Sequence, residues 1–125
     1  MNARHCLVVA ALALAGAVVL GAFGAHALRG RLDPDALAIY QTAVQYHFWH
    51  ALGMLGVGAL MLQWPTSGRL GWVAGLLLAG LVLFCGTLYA LALTGATWLG
   101  MVTPIGGLAF IAAWLVLASV AWYHQ

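Results

Sequence analysis

Apolar residues fill four long stretches of the chain, and the polar positions that separate them are short and few. The first stretch runs uncharged from Cys6 to Leu28, with Arg4 before it and Arg29 and Arg31 after it. That length suits one membrane crossing, for which about 20 apolar residues are needed. Ala25-His26-Ala27 after an apolar run also imitates the cleavage site of a secretory leader, but the run exceeds the usual apolar core of about 7–15 residues, so a retained helix is expected. In the loop that follows, Asp33 is placed to cap a helix, Pro34 suits its first position and Asp35 favours its positive end. No Gly or Pro then interrupts the chain until Gly53, which predicts a helix from Pro34 to Gln63 whose crossing covers about Ala43 to Leu62. Gln63-Trp64-Pro65-Thr66-Ser67-Gly68-Arg69 reads as a short turn, Thr94 to Thr97 as another. The expected helices are therefore 6–28, 34–63, 70–93 and 99–123. Short turns make neighbours antiparallel, so the expectation is a single all-α domain over 1–125, an up-down four-helix bundle in a membrane.

Small residues at four-residue spacing, Ala17-Gly21-Ala25 and Gly71-Gly75-Ala79, form two seams where helix backbones are expected to approach closely. Packing within the chain and assembly of several copies are both open at these seams. With four crossings, Trp64, Trp72, Trp122 and Tyr123 gather on the side of the termini, and Trp49, Tyr89 and Trp98 towards the other side, as two interfacial belts would.

Composition removes most other classes. Of 125 residues, 66% are hydrophobic and 5% charged, and there is no lysine or glutamate. A soluble domain carries about 25% charged residues, so the surface of this one is expected to face lipid. The net charge of +2 comes from isolated arginines, which form no basic stripe for nucleic acid. Arg4 and Arg69 on the terminal side balance Arg29 and Arg31 on the loop side. The amino terminus tips the balance towards termini in the cytoplasm. Cys6 lies at the terminal face and Cys85 about 22 Å along the third helix, so no disulfide joins them. Cys85 reads as a small packing residue.

The remaining polar groups are the candidates for chemistry. His26 ends the first helix, while His47 and His50 open the second crossing, at a similar depth near the loop side. At 100° per residue, Tyr40, Ala43, His47, His50 and Met54 share one face of the second helix, with Gln41, Gln45 and Leu52 opposite. Thr87, Tyr89 and Thr103 lie towards the same side. Polar groups within a bundle mark a site by default. Three readings stand: imidazoles that pin helices together, His26 with His47 or His50 as axial haem ligands or all three as ligands for a metal, and a quinone-like or proton-handling pocket using Tyr40, Tyr46, His47 and His50. Arg29, Arg31, Asp33 and Asp35 are expected to form exposed pairs and a cap, with binding by Arg29 or Arg31, for example of a lipid head group, as the lesser alternative. No motif of a catalytic nucleophile, phosphate loop or redox dithiol occurs, and no catalytic residue is expected.

Four motifs in order, Gly21-Ala-Phe-Gly-Ala-His26-Ala-Leu28, Tyr46-His-Phe-Trp-His50-Ala-Leu52, Leu83-Phe-Cys-Gly-Thr-Leu-Tyr89 and Thr103-Pro-Ile-Gly-Gly107, resemble the YgdD family. These are small bacterial inner-membrane proteins related to the eukaryotic transmembrane protein 256 group and carry a domain of unknown function. The resemblance runs to Trp114 and implies a four-helix membrane protein with no assigned activity. It falls on His26, Tyr46, His50, Tyr89, Pro104, Gly106 and Gly107, with Thr87 in place of an expected Ser. That favours His26, Tyr46 and His50 as a shared polar site, with His26 and His50 the metal candidates, over one built on His47. The leading expectation is a non-enzymatic scaffold or partner-binding protein without a resident cofactor. Ligand binding at His26, Tyr46 and His50 is the second, and a minimal oligomeric transporter the third.

Overall fold

A computed structural model describes residues 1–124. These form four long helices, and among the described residues there is no strand. Helix α1 (Ala3–Leu28) is α-helical over Ala3–Phe23 and π-helical over Gly24–Leu28. Helix α2 (Pro34–Gln63) is regular throughout. Helix α3 (Gly68–Thr94) has a π-helical segment, Leu81–Gly86, between two α-helical parts. Helix α4 (Thr97–Tyr123) opens with a 3₁₀ turn, Thr97–Met101, before its α-helical body from Thr103.

Local chemistry sets the ends. The Asn2 side chain accepts the His5 amide at 2.9 Å, so α1 starts three residues before the expected Cys6. Asp33 accepts the Ala36 amide at 2.8 Å with Pro34 in the first helical position, which starts α2 as its sequence predicts. Gly30 and Gly95 take φ values of +87° and +71°, the left-handed geometry that closes the two loop-side turns.

Three helices, α1, α3 and α4, are long and apolar enough to cross a membrane. Helix α2 is not among them, because its middle carries Tyr46, His47 and His50 in place of aliphatic residues. It is nevertheless the centre of the packing, lying along both α1 and α3, while α4 lies along α3. Its buried positions include Tyr40, Ala43, His50 and Met54, with His47 half-buried and Gln41, Gln45 and Leu52 exposed, so the face read from the sequence is the face turned inward.

The main core sits towards the termini, where Cys6 and Ala10 of α1, Met54 and Val57 of α2, Leu70 to Leu77 of α3 and Phe110 and Ala113 of α4 meet. Cys6 Sγ donates to the Met54 carbonyl at 3.3 Å, and both cysteines are free and buried. A smaller core at the loop end joins Leu28, Tyr40 and Ala92.

The two expected seams need correction. On α1, Ala17 is buried and Gly21 faces Val44, but Ala25 is exposed and the closest approach moves to Gly24, against the Tyr40 ring. On α3 the seam points elsewhere: a methyl on Gly75 would meet nothing within 4 Å, whereas Leu70, Val73, Ala74, Leu77 and Gly80 form the packed face. The tightest crossing lies between Gly106 of α4 and the backbone of Leu83 and Phe84 in the π segment of α3. Tyr89 also departs from expectation, turning inward, while Trp49, Trp72, Trp98, Trp122 and Tyr123 are exposed.

Candidate functional site

Two ring clusters occupy the loop-side half of the bundle. Each rests on a π-helical segment, and π segments are rare insertions that tend to occur where function needs a displaced residue.

The outer cluster is built on Tyr40. This buried ring sits in the notch left by Gly24, and its hydroxyl donates to the Leu20 carbonyl at 2.6 Å, which ties α2 to the last turns of α1. The Tyr89 ring meets it edge to face, with centroids 5.2 Å apart. The Tyr89 hydroxyl lies 2.9 Å from His47 Nδ1. The opposite edge of the His47 ring packs on Gly16, within reach of the Ala13 backbone. A neutral imidazole with its proton on Nε2 satisfies this environment, accepting from Tyr89 on one side and facing α1 on the other. His47 thus links three helices.

The inner cluster is built on His50. Its ring is stacked on Phe110 of α4 at 3.6 Å and 18°, and lies nearly parallel to Tyr46 at 5.7 Å and 10°. Nδ1 stands 2.8 Å from the Tyr46 carbonyl, which can only accept, so the proton is on Nδ1. The neutral ring then keeps Nε2 as an acceptor. Phe84 lies 4.6 Å from Tyr46 and 5.6 Å from Phe110, closing the cluster across the π segment. Beside it the Thr87 and Thr103 hydroxyls pair at 2.7 Å, joining α3 to α4; with one proton each, one hydroxyl donates to the other, and the accepting one donates in turn to a carbonyl of its own helix.

The sequence candidates therefore separate into groups. Tyr40, Tyr89 and His47 meet, Tyr46 and His50 meet, and Thr87 meets Thr103. His26 does not join them: it is exposed, and among the described residues no hydrogen bond or ring contact links it to Tyr46 or His50. Nor do three His, Cys, Asp or Glu side chains converge anywhere among the described residues. Arg31, Asp33 and Asp35 line a groove at the loop end. Arg29 is exposed.

Phe84, Phe110 and Trp114 were not legible as site residues. Their signal lay in small residues elsewhere: Gly80 leaves the space that Phe110 fills, and Gly53 the space that the Trp114 ring fills.

Four long helices among the described residues, three of them long and apolar enough to span a bilayer, with the rings of Tyr40, His47, His50 and Tyr89 turned inward, place the chain in the class of small all-helical membrane proteins. Within that class the particular family is clear. The chain belongs to the family described as protein of unknown function DUF423, whose profile matches residues 20–107, the stretch that carries both ring clusters up to Gly107. It is similar to UPF0382 membrane protein YwdK of Bacillus subtilis, 44% identical over 105 residues that cover 84% of this chain and 85% of that one. It is also similar to UPF0382 membrane protein SH2409 of Staphylococcus haemolyticus, 43% identical over 111 residues that cover 89% of each. No solved structure matches the chain.

Proposed function

We propose that this protein is a four-crossing bundle of the bacterial inner membrane, with both termini in the cytoplasm, that acts as a non-enzymatic scaffold binding a partner through its lipid-facing surface. One observation carries the reading: the rings of Tyr40, His47, His50 and Tyr89 are each engaged by another helix, so the polar cluster serves to lock the bundle. The same observation supports α2 as the fourth crossing, since His47 and His50, which lower its hydropathy, face the other helices. Reporter fusions test the topology. A fluorescent cytoplasmic reporter should be active at both ends, and an alkaline phosphatase reporter active only after Gly30 or Gly95. Termini on opposite sides would overturn four crossings. Site-specific photocrosslinkers at exposed Trp72 and Val82 test the scaffold role. A discrete adduct that survives in the native membrane supports it, and lipid adducts alone at both sites count against it.

A second reading has a specific observation in its favour. Fixing the His50 proton on Nδ1 leaves Nε2 as the acceptor, which is how ligating imidazoles are commonly held. An absorption band or stoichiometric metal in the purified protein, lost in His50→Phe with the fold intact, would establish it.

A further inference from the structure

The two loop-side turns, far apart in sequence, enclose a groove of about 600 Å³. Its rim carries Arg31, Asp33 and Asp35, and its wall is made by Leu32, Ile39 and Leu91, all half-buried. Charges of both signs above an apolar wall, at the end of a membrane bundle, match one kind of molecule lying on its side. We propose that this groove binds a phospholipid with a zwitterionic ethanolamine head group, one acyl chain lying along Ile39 and Leu91.

The charge pattern selects the head group. One oxygen of Asp33 is taken by the Ala36 amide, which leaves its second oxygen and both oxygens of Asp35 as acceptors at the rim. A primary ammonium offers three N–H donors to such a pair, and the guanidinium of Arg31 suits the phosphate. Phosphatidylcholine presents a quaternary ammonium with no N–H to give. Phosphatidylglycerol adds an anion to a rim whose own three charges sum to minus one, and Coulomb repulsion disfavours it there. Gly95, in the left-handed turn between α3 and α4, and Thr97 also line the groove.

The proposal rests on the four-crossing reading only in setting both turns at one head-group layer, and the reporter fusions above fail or succeed independently of it. The full chain in detergent is mixed with dioleoyl phosphatidylethanolamine, phosphatidylcholine or phosphatidylglycerol at equal concentration, and retained lipid is counted by native mass spectrometry. The ethanolamine lipid should be retained at least fivefold over the other two. Asp35→Asn and, separately, Arg31→Gln should bring it down to the choline level, while Arg4→Gln at the opposite end leaves the preference intact. Arg31 lies in the loop and caps no helix, so that variant keeps the test valid if Asp35→Asn unfolds. Equal retention of all three lipids, a preference for phosphatidylglycerol, or a preference that persists in Arg31→Gln would overturn the proposal.

Discussion

His47 of α2 and Tyr89 of α3 form a hydrogen bond of 2.9 Å across the bundle, and each also has a second engagement, His47 with α1 and Tyr89 with the Tyr40 ring. Tyr89→Phe removes only the hydroxyl. Polar contacts between membrane helices average about 0.6 kcal/mol and reach about 1.7. A double-mutant cycle with His47→Ala and Tyr89→Phe in detergent should give a coupling of about 1 kcal/mol, and additive effects would show that the bond contributes nothing to stability.

The stack of His50 on Phe110 separates packing from hydrogen bonding. His50→Phe keeps a flat ring against Phe110 and removes the imidazole's Nδ1–H, so its cost should be about 1 kcal/mol. His50→Ala opens a cavity beside Phe110, Tyr46 and Trp114 and should cost about 3 kcal/mol. Equal losses by thermal unfolding would place the whole effect in the hydrogen bond instead.

Two glycines that look alike in sequence should behave oppositely. A methyl on Gly106 collides with the backbone of Leu83 and Phe84, which no rotamer change relieves. Gly106→Ala should therefore cost about 1–3 kcal/mol by overpacking. Gly75→Ala meets nothing and, by gaining helix propensity, should be neutral or slightly stabilising. A comparable loss in both variants would mean that the Gly75 face is packed in the membrane.

Neither native thiol is accessible, since Cys6 and Cys85 are both buried and free. Folded protein should resist a maleimide for hours and take up two equivalents once denatured. Rapid labelling of the folded chain would contradict the burial of one of them.

What the sequence made legible follows from where polarity was present to signal it. Helix α2 carries both imidazole and amide, so a 3.6-residue period assigns its faces, and Tyr40, His50 and Met54 are buried while Gln41 and Gln45 are exposed. Asp33-Pro34-Asp35 likewise marks a helix start. Helices α3 and α4 are apolar on all sides, and in such a helix periodicity says nothing about which face meets protein and which meets lipid. The four-residue spacing of Gly71, Gly75 and Ala79 therefore does not identify the packed face. Depth along a helix is readable from sequence and places His26 level with His50, while rotation about the helix axis is not readable and separates them. The π segment at Gly24–Leu28 changes that rotation just where His26 sits.

The π segment Leu81–Gly86 gives α3 a local tolerance in chain length. Its i→i+5 bonds hold one residue more than an α-helical turn would, and the excess is absorbed there. Removing one residue from the segment would let α3 close into an uninterrupted α-helix with the residues beyond it still on nearly the same faces, so Tyr89 would keep facing His47 and Thr87 would keep facing Thr103. The same deletion in the regular α-helical part before it would turn everything beyond by about 100° and shift it by about 1.5 Å, and both bonds would be lost. A scan of substitutions, which preserves length, would pass over this difference, and a scan of single-residue deletions would reveal it.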